Sequence, residues 1–188
     1  MPRKFAYFYH HKDLPMKNIV LILALALVSC NNSNSQDSEK EDDGLTTFYF
    51  IRHAEKQQGA DPDLTVYGEQ RATEWVNYFF LKDVDHVISS DTKRTRATAA
   101  PLAKAKKLDV ETYDVSTVTG KSLLEQYRGK TVVLYGHSNT INKYANDLQK
   151  DTNYPELDDA DFDHFFIVKI DENGNTNAVK ESMDFDID

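Results

Sequence analysis

From residue 45 onward the chain predicts an α/β fold. Short apolar runs rich in β-branched and aromatic residues alternate with segments of helical period. Three of those runs end abruptly in polar side chains. Phe48-Tyr49-Phe50-Ile51 ends in Arg52-His53. Residues 84–90 lead into Lys93-Arg94-Thr95-Arg96. Thr131-Val132-Val133-Leu134-Tyr135 ends in Gly136-His137-Ser138-Asn139-Thr140. Open α/β sheets gather functional groups at the carboxyl ends of their strands, so these three ends predict one ligand site.

The sequence has 188 residues, 40% of them hydrophobic, with ten Phe and ten Tyr. That suffices for one domain with its own core. Acidic residues outnumber basic ones, 31 to 22, giving a formal charge of -9. Such a balance argues against nucleic acid as the main partner. The single cysteine, Cys30, allows no intrachain disulfide.

Residues 1–15 show no useful periodicity. Met16-Lys17-Asn18 then opens a short charged start before the apolar residues 19–28. Ten apolar residues are too few for a membrane span, which needs ~20. They fit the apolar region of a secretory signal peptide, and a buried core helix is the alternative. Leu27-Val28-Ser29-Cys30 resembles a bacterial lipobox, cut before a cysteine that then carries lipid. The expectation is a start at Met16, removal of residues 1–29 and a lipid on Cys30. The protein would then be anchored to a membrane of the bacterial cell envelope, outside the cytoplasm. Residues 31–44 (NNSNSQDSEKEDDG) are polar and acidic, so segment 30–44 is expected to be a disordered tether.

The domain, 45–188, begins with the strand that ends at Arg52. Thr65 is a candidate N-cap. The helix after it places Ala72, Trp75, Val76, Phe79 and Phe80 at helical spacing, as a core face. A second strand covers residues 84–89. A helix over 93–107 is expected to bend or restart near Pro101. Residues 110–113 form a short strand, and a modest helix lies within 117–128, ended by Gly129. After the strand at 131–135, Ile141, Tyr144, Ala145 and Leu148 share a helix face. An acidic loop, 151–163, leads to a hairpin of 165–170 and 176–182, turned at Asp171-Glu172-Asn173-Gly174.

Four blocks in this order resemble the histidine phosphatase superfamily, the phosphoglycerate-mutase-like proteins. They are Arg52-His53-Ala54, the stretch Leu64-Thr65-Val66-Tyr67-Gly68-Glu69-Gln70-Arg71-Ala72, residues 89–99 with Arg94, and Gly136-His137-Ser138-Asn139-Thr140. The resemblance covers residues 46–182. It implies a three-layer α/β/α sandwich with a mostly parallel central sheet. It also implies that His53 attacks phosphorus and becomes phosphohistidine. Arg52 and Arg94 would fork onto phosphate oxygens, and His137 would donate a hydrogen bond to them. Ser138 and Asn139 would open a helix whose N-terminus favours an anion. Lys56, with Lys93 and Arg96, either widens the basic mouth or is solvated surface. His86 and His164 lack motifs and are expected to be ordinary polar residues.

The family's proton donor has no fixed place. Ser138 stands where some members carry an acid after the second histidine. Asp114 is the first candidate proton donor, and Glu55 the second. No metal-ligand spacing or nucleotide-binding glycine loop is present, and the implied mechanism needs neither metal nor cofactor. The leading expectation is a metal-independent phosphatase acting on a small phosphorylated substrate or a phosphoprotein. The short domain resembles the compact phosphohistidine phosphatases. The alternatives are a mutase-type phosphoryl transferase and a non-catalytic phosphate- or phosphopeptide-binding module.

Overall fold

The computed structural model describes residues 44–183. The expected signal peptide, Cys30 and nearly all of the tether lie outside the described residues. Within them, six strands form one sheet in the order β3-β2-β4-β1-β5-β6. The strands are β1 (Thr46–Arg52), β2 (His86–Ser90), β3 (Val110–Tyr113), β4 (Thr131–Gly136), β5 (His164–Ile170) and β6 (Thr176–Ser182). The first four strands pair in parallel, whereas β5 pairs antiparallel with both β1 and β6.

Side chains of successive strand residues point to opposite faces, and the sequence supplies apolar groups on both. Phe48 and Phe50 of β1 and Val132 and Leu134 of β4 enter one core cluster. Tyr49, Ile51, Val133 and Tyr135 enter the other. Helices α3 (Gly120–Gln126) and α4 (Ser138–Asp147) cover the first face through Leu123, Ile141, Tyr144 and Ala145. Helices α1 (Val66–Tyr78) and α2 (Lys93–Lys106) cover the second through Trp75, Ala99, Leu102 and Ala103. This is the expected three-layer α/β/α sandwich.

Local chemistry sets the element ends. Thr65 Oγ1 accepts from Gly68 N and caps α1, a contact that stabilises a helix by about 1 kcal/mol. Asp171 accepts from the Asn173 and Asn175 amides to build the β5–β6 turn. Three expectations need correction. Phe80 is 74% exposed, because α1 ends at Tyr78 and the chain turns outward. Helix α2 runs through Pro101 without restarting, since the flanking Ala99, Leu102 and Ala103 are packed into the core. Helix α3 lies within 117–128 as expected, opened by a Thr119–Ser122 capping box, but its C-cap is Tyr127 rather than Gly129.

Candidate active site

Sheet register brings the two histidines together. Arg52 is paired with Gly136 across β1 and β4. The next residues, His53 and His137, therefore leave adjacent strand ends at the same level. The His53 amide still donates to Gly136 O at 2.9 Å. Their ring centroids stand 5.5 Å apart, edge to face. Gly136 is tight: a Cβ there would meet Ile141 Cγ2 and Tyr113 Oη at 2.9 Å.

His53 is buried, and its Nδ1 donates to Ala54 O at 2.8 Å. A carbonyl can only accept, so the proton sits on Nδ1 and Nε2 is the basic nitrogen. Burial pushes its pKa down to about 3. The Ala54 bond opposes that shift, and Arg52, Arg94 and His137 add to it. His53 is therefore neutral near pH 7, with a lone pair free on Nε2.

His137 is held differently. Its Nε2 lies 2.9 Å from Ser90 Oγ, and Arg94 NH2 lies 3.4 Å from its Nδ1. Arginine can only donate, so Nδ1 accepts and Nε2 donates to Ser90. Ser90 Oγ passes the chain to Thr95 Oγ1, which donates to Ser90 O. Burial first, then Arg94 and Arg52, lower the His137 pKa to about 4.

Arg52 is only 6% exposed. Its NH1 donates to Asp158 O at 2.8 Å and Asp161 O at 2.9 Å, and its guanidinium carbon lies 4.2 Å from the Phe162 ring centre. The Asp159 carboxylate stands 3.9 Å from its NH2. Arg94 projects from the first turn of α2, with Asp61 Oδ1 3.7 Å from its NH1. Helix α4 begins at Ser138, and Thr140 Oγ1 accepts from the His137 amide.

Arg52, His53, Arg94 and His137 line one open cleft of about 510 Å³, together with Lys56, Ser138 and Asn139. Four cationic or imidazole groups thus converge with a helix N-terminus, an arrangement that suits an oxyanion. The family model "Histidine phosphatase superfamily (branch 1)" matches residues 48–115. This span holds His53, Arg52 and Arg94, and His137 completes the same cleft.

The first half of the domain thus matches the histidine phosphatase superfamily.

Solved structures share the fold of this domain. The protein histidine phosphatase SixA complexed with tungstate is 18% identical, with a TM-score of 0.59 over 72% of this chain and 96% of that one. Phosphoserine phosphatase from Entamoeba histolytica, in complex with 3-phosphoglyceric acid, is also 18% identical. Its TM-score is 0.55 over 76% of this chain and 98% of that one. The mycobacterial glucosyl-3-phosphoglycerate phosphatase is 12% identical, with a TM-score of 0.55 over 73% and 98%. No curated protein matches in sequence.

The two expected proton donors, Asp114 and Glu55, are not in the cleft. Asp114 is exposed and lines a neighbouring cavity. Its carboxylate accepts from Ser116 N at 2.8 Å and Ser116 Oγ at 2.7 Å, which holds it below the usual carboxylate range. A carboxyl kept ionised in this way is a poor acid. Glu55 gives both oxygens to Arg71, at 2.7 to 3.0 Å. The carboxylates that do line the cleft are Glu156 and Asp159. His86 pairs with Glu111, and His164 with Asp161, outside the cleft.

The remaining motif residues prove to be supports. Thr98 Oγ1 accepts from the Ala54 amide and donates to Arg94 O, joining α2 to the loop that carries His53. Thr98 follows Arg94 by four residues on one helical face, a spacing that marks it in the sequence. Gly68 lies against the Glu55 peptide: a Cβ would stand 2.2 Å from Glu55 O. Arg71 NH1 donates to Asp163 Oδ1 at 2.7 Å and Phe162 O at 3.3 Å. Arg71 therefore ties Glu55, two residues after His53, to the loop that grips Arg52.

Proposed function

We propose that this domain hydrolyses phosphate monoesters or phosphohistidine through a phosphohistidine on His53. One observation carries the reading. The Ala54 carbonyl fixes the His53 proton on Nδ1, leaving a neutral Nε2 in a cleft shared with Arg52, Arg94 and His137. Nε2 attacks phosphorus, the bond to the leaving group breaks, and the departing atom takes its proton from solvent in the open cleft. Arg52 and Arg94 neutralise the charge that spreads over the equatorial oxygens. His137 binds the same oxygens once the anion draws a proton onto Nδ1. Water then cleaves the phosphorus–nitrogen bond, releasing phosphate and restoring His53. The chemistry needs no metal.

The cleft is open, and no part of the described chain encloses it in the way a mutase must exclude water from its phosphoenzyme. Hydrolysis is therefore the favoured outcome. The lipobox-like Leu27-Val28-Ser29-Cys30 supports a lipid anchor on Cys30 and a place on the envelope membrane outside the cytoplasm.

Acid-quenched enzyme should retain an acid-labile, base-stable phosphoryl group on His53. His53→Ala should abolish both the adduct and turnover. Turnover that survives in His53→Ala, free of contaminating phosphatase, rejects the covalent mechanism. For the anchor, Cys30→Ser should move the protein out of the membrane fraction with catalysis intact. Intact mass that retains residues 1–29 in the native host rejects it.

A further inference from the structure

A second cavity of about 450 Å³ opens beside the catalytic cleft, at the carboxyl ends of β2 and β3. Val115 lines both, and Ser90, which holds His137, lines the second. The two spaces therefore meet beside the reacting groups. Their linings differ in charge. The cleft is lined by Arg52, Lys56, Arg94 and the imidazoles alongside Glu156 and Asp159, whereas the second cavity is lined by Asp91, Asp114, Thr92 and Thr112 and by no basic residue.

Arg96 offsets Asp91 through an ion pair. Asp114, exposed at the cavity, has neutral partners, the Ser116 amide and hydroxyl, which leave its charge uncompensated. Those same bonds keep it ionised. At the other rim, Glu156 bonds the neutral Ser138.

Building on the phosphatase reading, we infer that this cavity is the leaving-group subsite and that it selects substrates bearing a cationic, amine-type group beside the phosphoryl group. The phosphoryl group sits on the basic floor, and the rest of the substrate crosses Val115 toward Asp114. A leaving group with its own carboxylate meets repulsion there. The subsite acts on binding, so it is separable from the chemical step.

The test uses three aryl phosphates: 4-(aminomethyl)phenyl, phenyl and 4-carboxyphenyl phosphate. Changes in their kcat/KM ratios between variants cancel intrinsic leaving-group differences. The amine-to-carboxylate ratio should fall roughly three- to tenfold in Asp114→Asn, as expected for loss of an exposed ion pair and relief of repulsion. Asn retains an acceptor for Ser116, so the loop keeps its bonds. Thr112→Lys, a charge added from β3, should lower the ratio further. Ratios unchanged in both variants overturn the subsite. The matching phenylphosphonates, which cannot be hydrolysed, are measured by calorimetry in parallel. Amine preference in binding without any turnover would sink the phosphatase reading and keep the subsite. Turnover without preference would do the reverse.

Discussion

The floor of the cleft and the loop over it are built on opposite principles. On the floor, His53, Arg94 and His137 act through side chains set at the ends of parallel strands and on α2. In the loop 156–163, the groups that grip Arg52 are main-chain carbonyls, those of Asp158 and Asp161, backed by the Phe162 ring. Side-chain chemistry leaves a motif, because few residue types can do it. A carbonyl is offered by every residue, so this loop reads only as an acidic segment. The difference teaches where a site of this kind is exposed to substitution: by identity on the floor, by shape above it.

Substitutions can break that contrast. Arg94→Ala should have the largest effect, lowering kcat/KM on the order of 10²-fold or more, since it removes a donor to the developing charge. Arg94→Lys should not restore it fully, because an ammonium cannot present the planar fork. Steady-state rates on an aryl phosphate measure both. Equal activity of the lysine variant would show that charge alone suffices on the floor.

Arg71→Gln tests the loop from behind. Glutamine reaches Glu55 or Asp163 but not both, so Phe162 and Asp161 should lose their fixed place against Arg52. Turnover is expected to drop roughly tenfold, the scale of a misplaced substrate-positioning group. KM should rise less than kcat falls, and stability should drop by about 1–3 kcal/mol as paired carboxylates lose a partner. A stability loss with unchanged kcat would confine Arg71 to folding. Gly68→Ala should be a pure stability lesion of about 1–3 kcal/mol, from a methyl group forced against the Glu55 peptide. Denaturant midpoints read it directly.

The smallest effect separates the two imidazoles by pH. Free His137, with a pKa near 4, is neutral at pH 7. A bound anion raises that value, so binding takes up a proton. Affinity should thus weaken as pH rises between the free and the bound pKa, with uptake of up to about one proton. Tungstate titrations in buffers of differing ionisation enthalpy count it. His137→Gln should abolish the uptake. His53, whose Nδ1 is already committed to Ala54 O, is not expected to supply it.

Much of this was legible before the structure, for reasons that can be named. The strands could be read because both sheet faces are apolar, as in Phe48 to Ile51. The cleft residues could be read because their motifs end those strands. Helix α1 was capped at Thr65 as its sequence suggests. Other features were hidden. Nothing local tells that Phe80 faces water, since its spacing matches Phe79 and only the turn after Tyr78 decides. Asp114 is a candidate acid only through the resemblance, which puts an acidic residue in the loop after the third strand, and the Ser116 amide and hydroxyl two residues on claim it. Glu55 looked equally free until Arg71, 16 residues away, closed on it.

The pairing of Arg52 with Gly136 has a consequence for how this protein tolerates change. The separation of the two histidines is set first by the alignment of β1 on β4, and only then by the contacts of each ring. A slip of one residue would displace one ring by ~3.3 Å along the strand and turn it to the opposite side of the sheet. The sheet therefore works as a gauge for the spacing of the two imidazoles. Residues deep in the core, such as Phe50 and Leu134, which face each other in that alignment, hold the calibration. Damage to them would register as lost chemistry while most of the fold still stood.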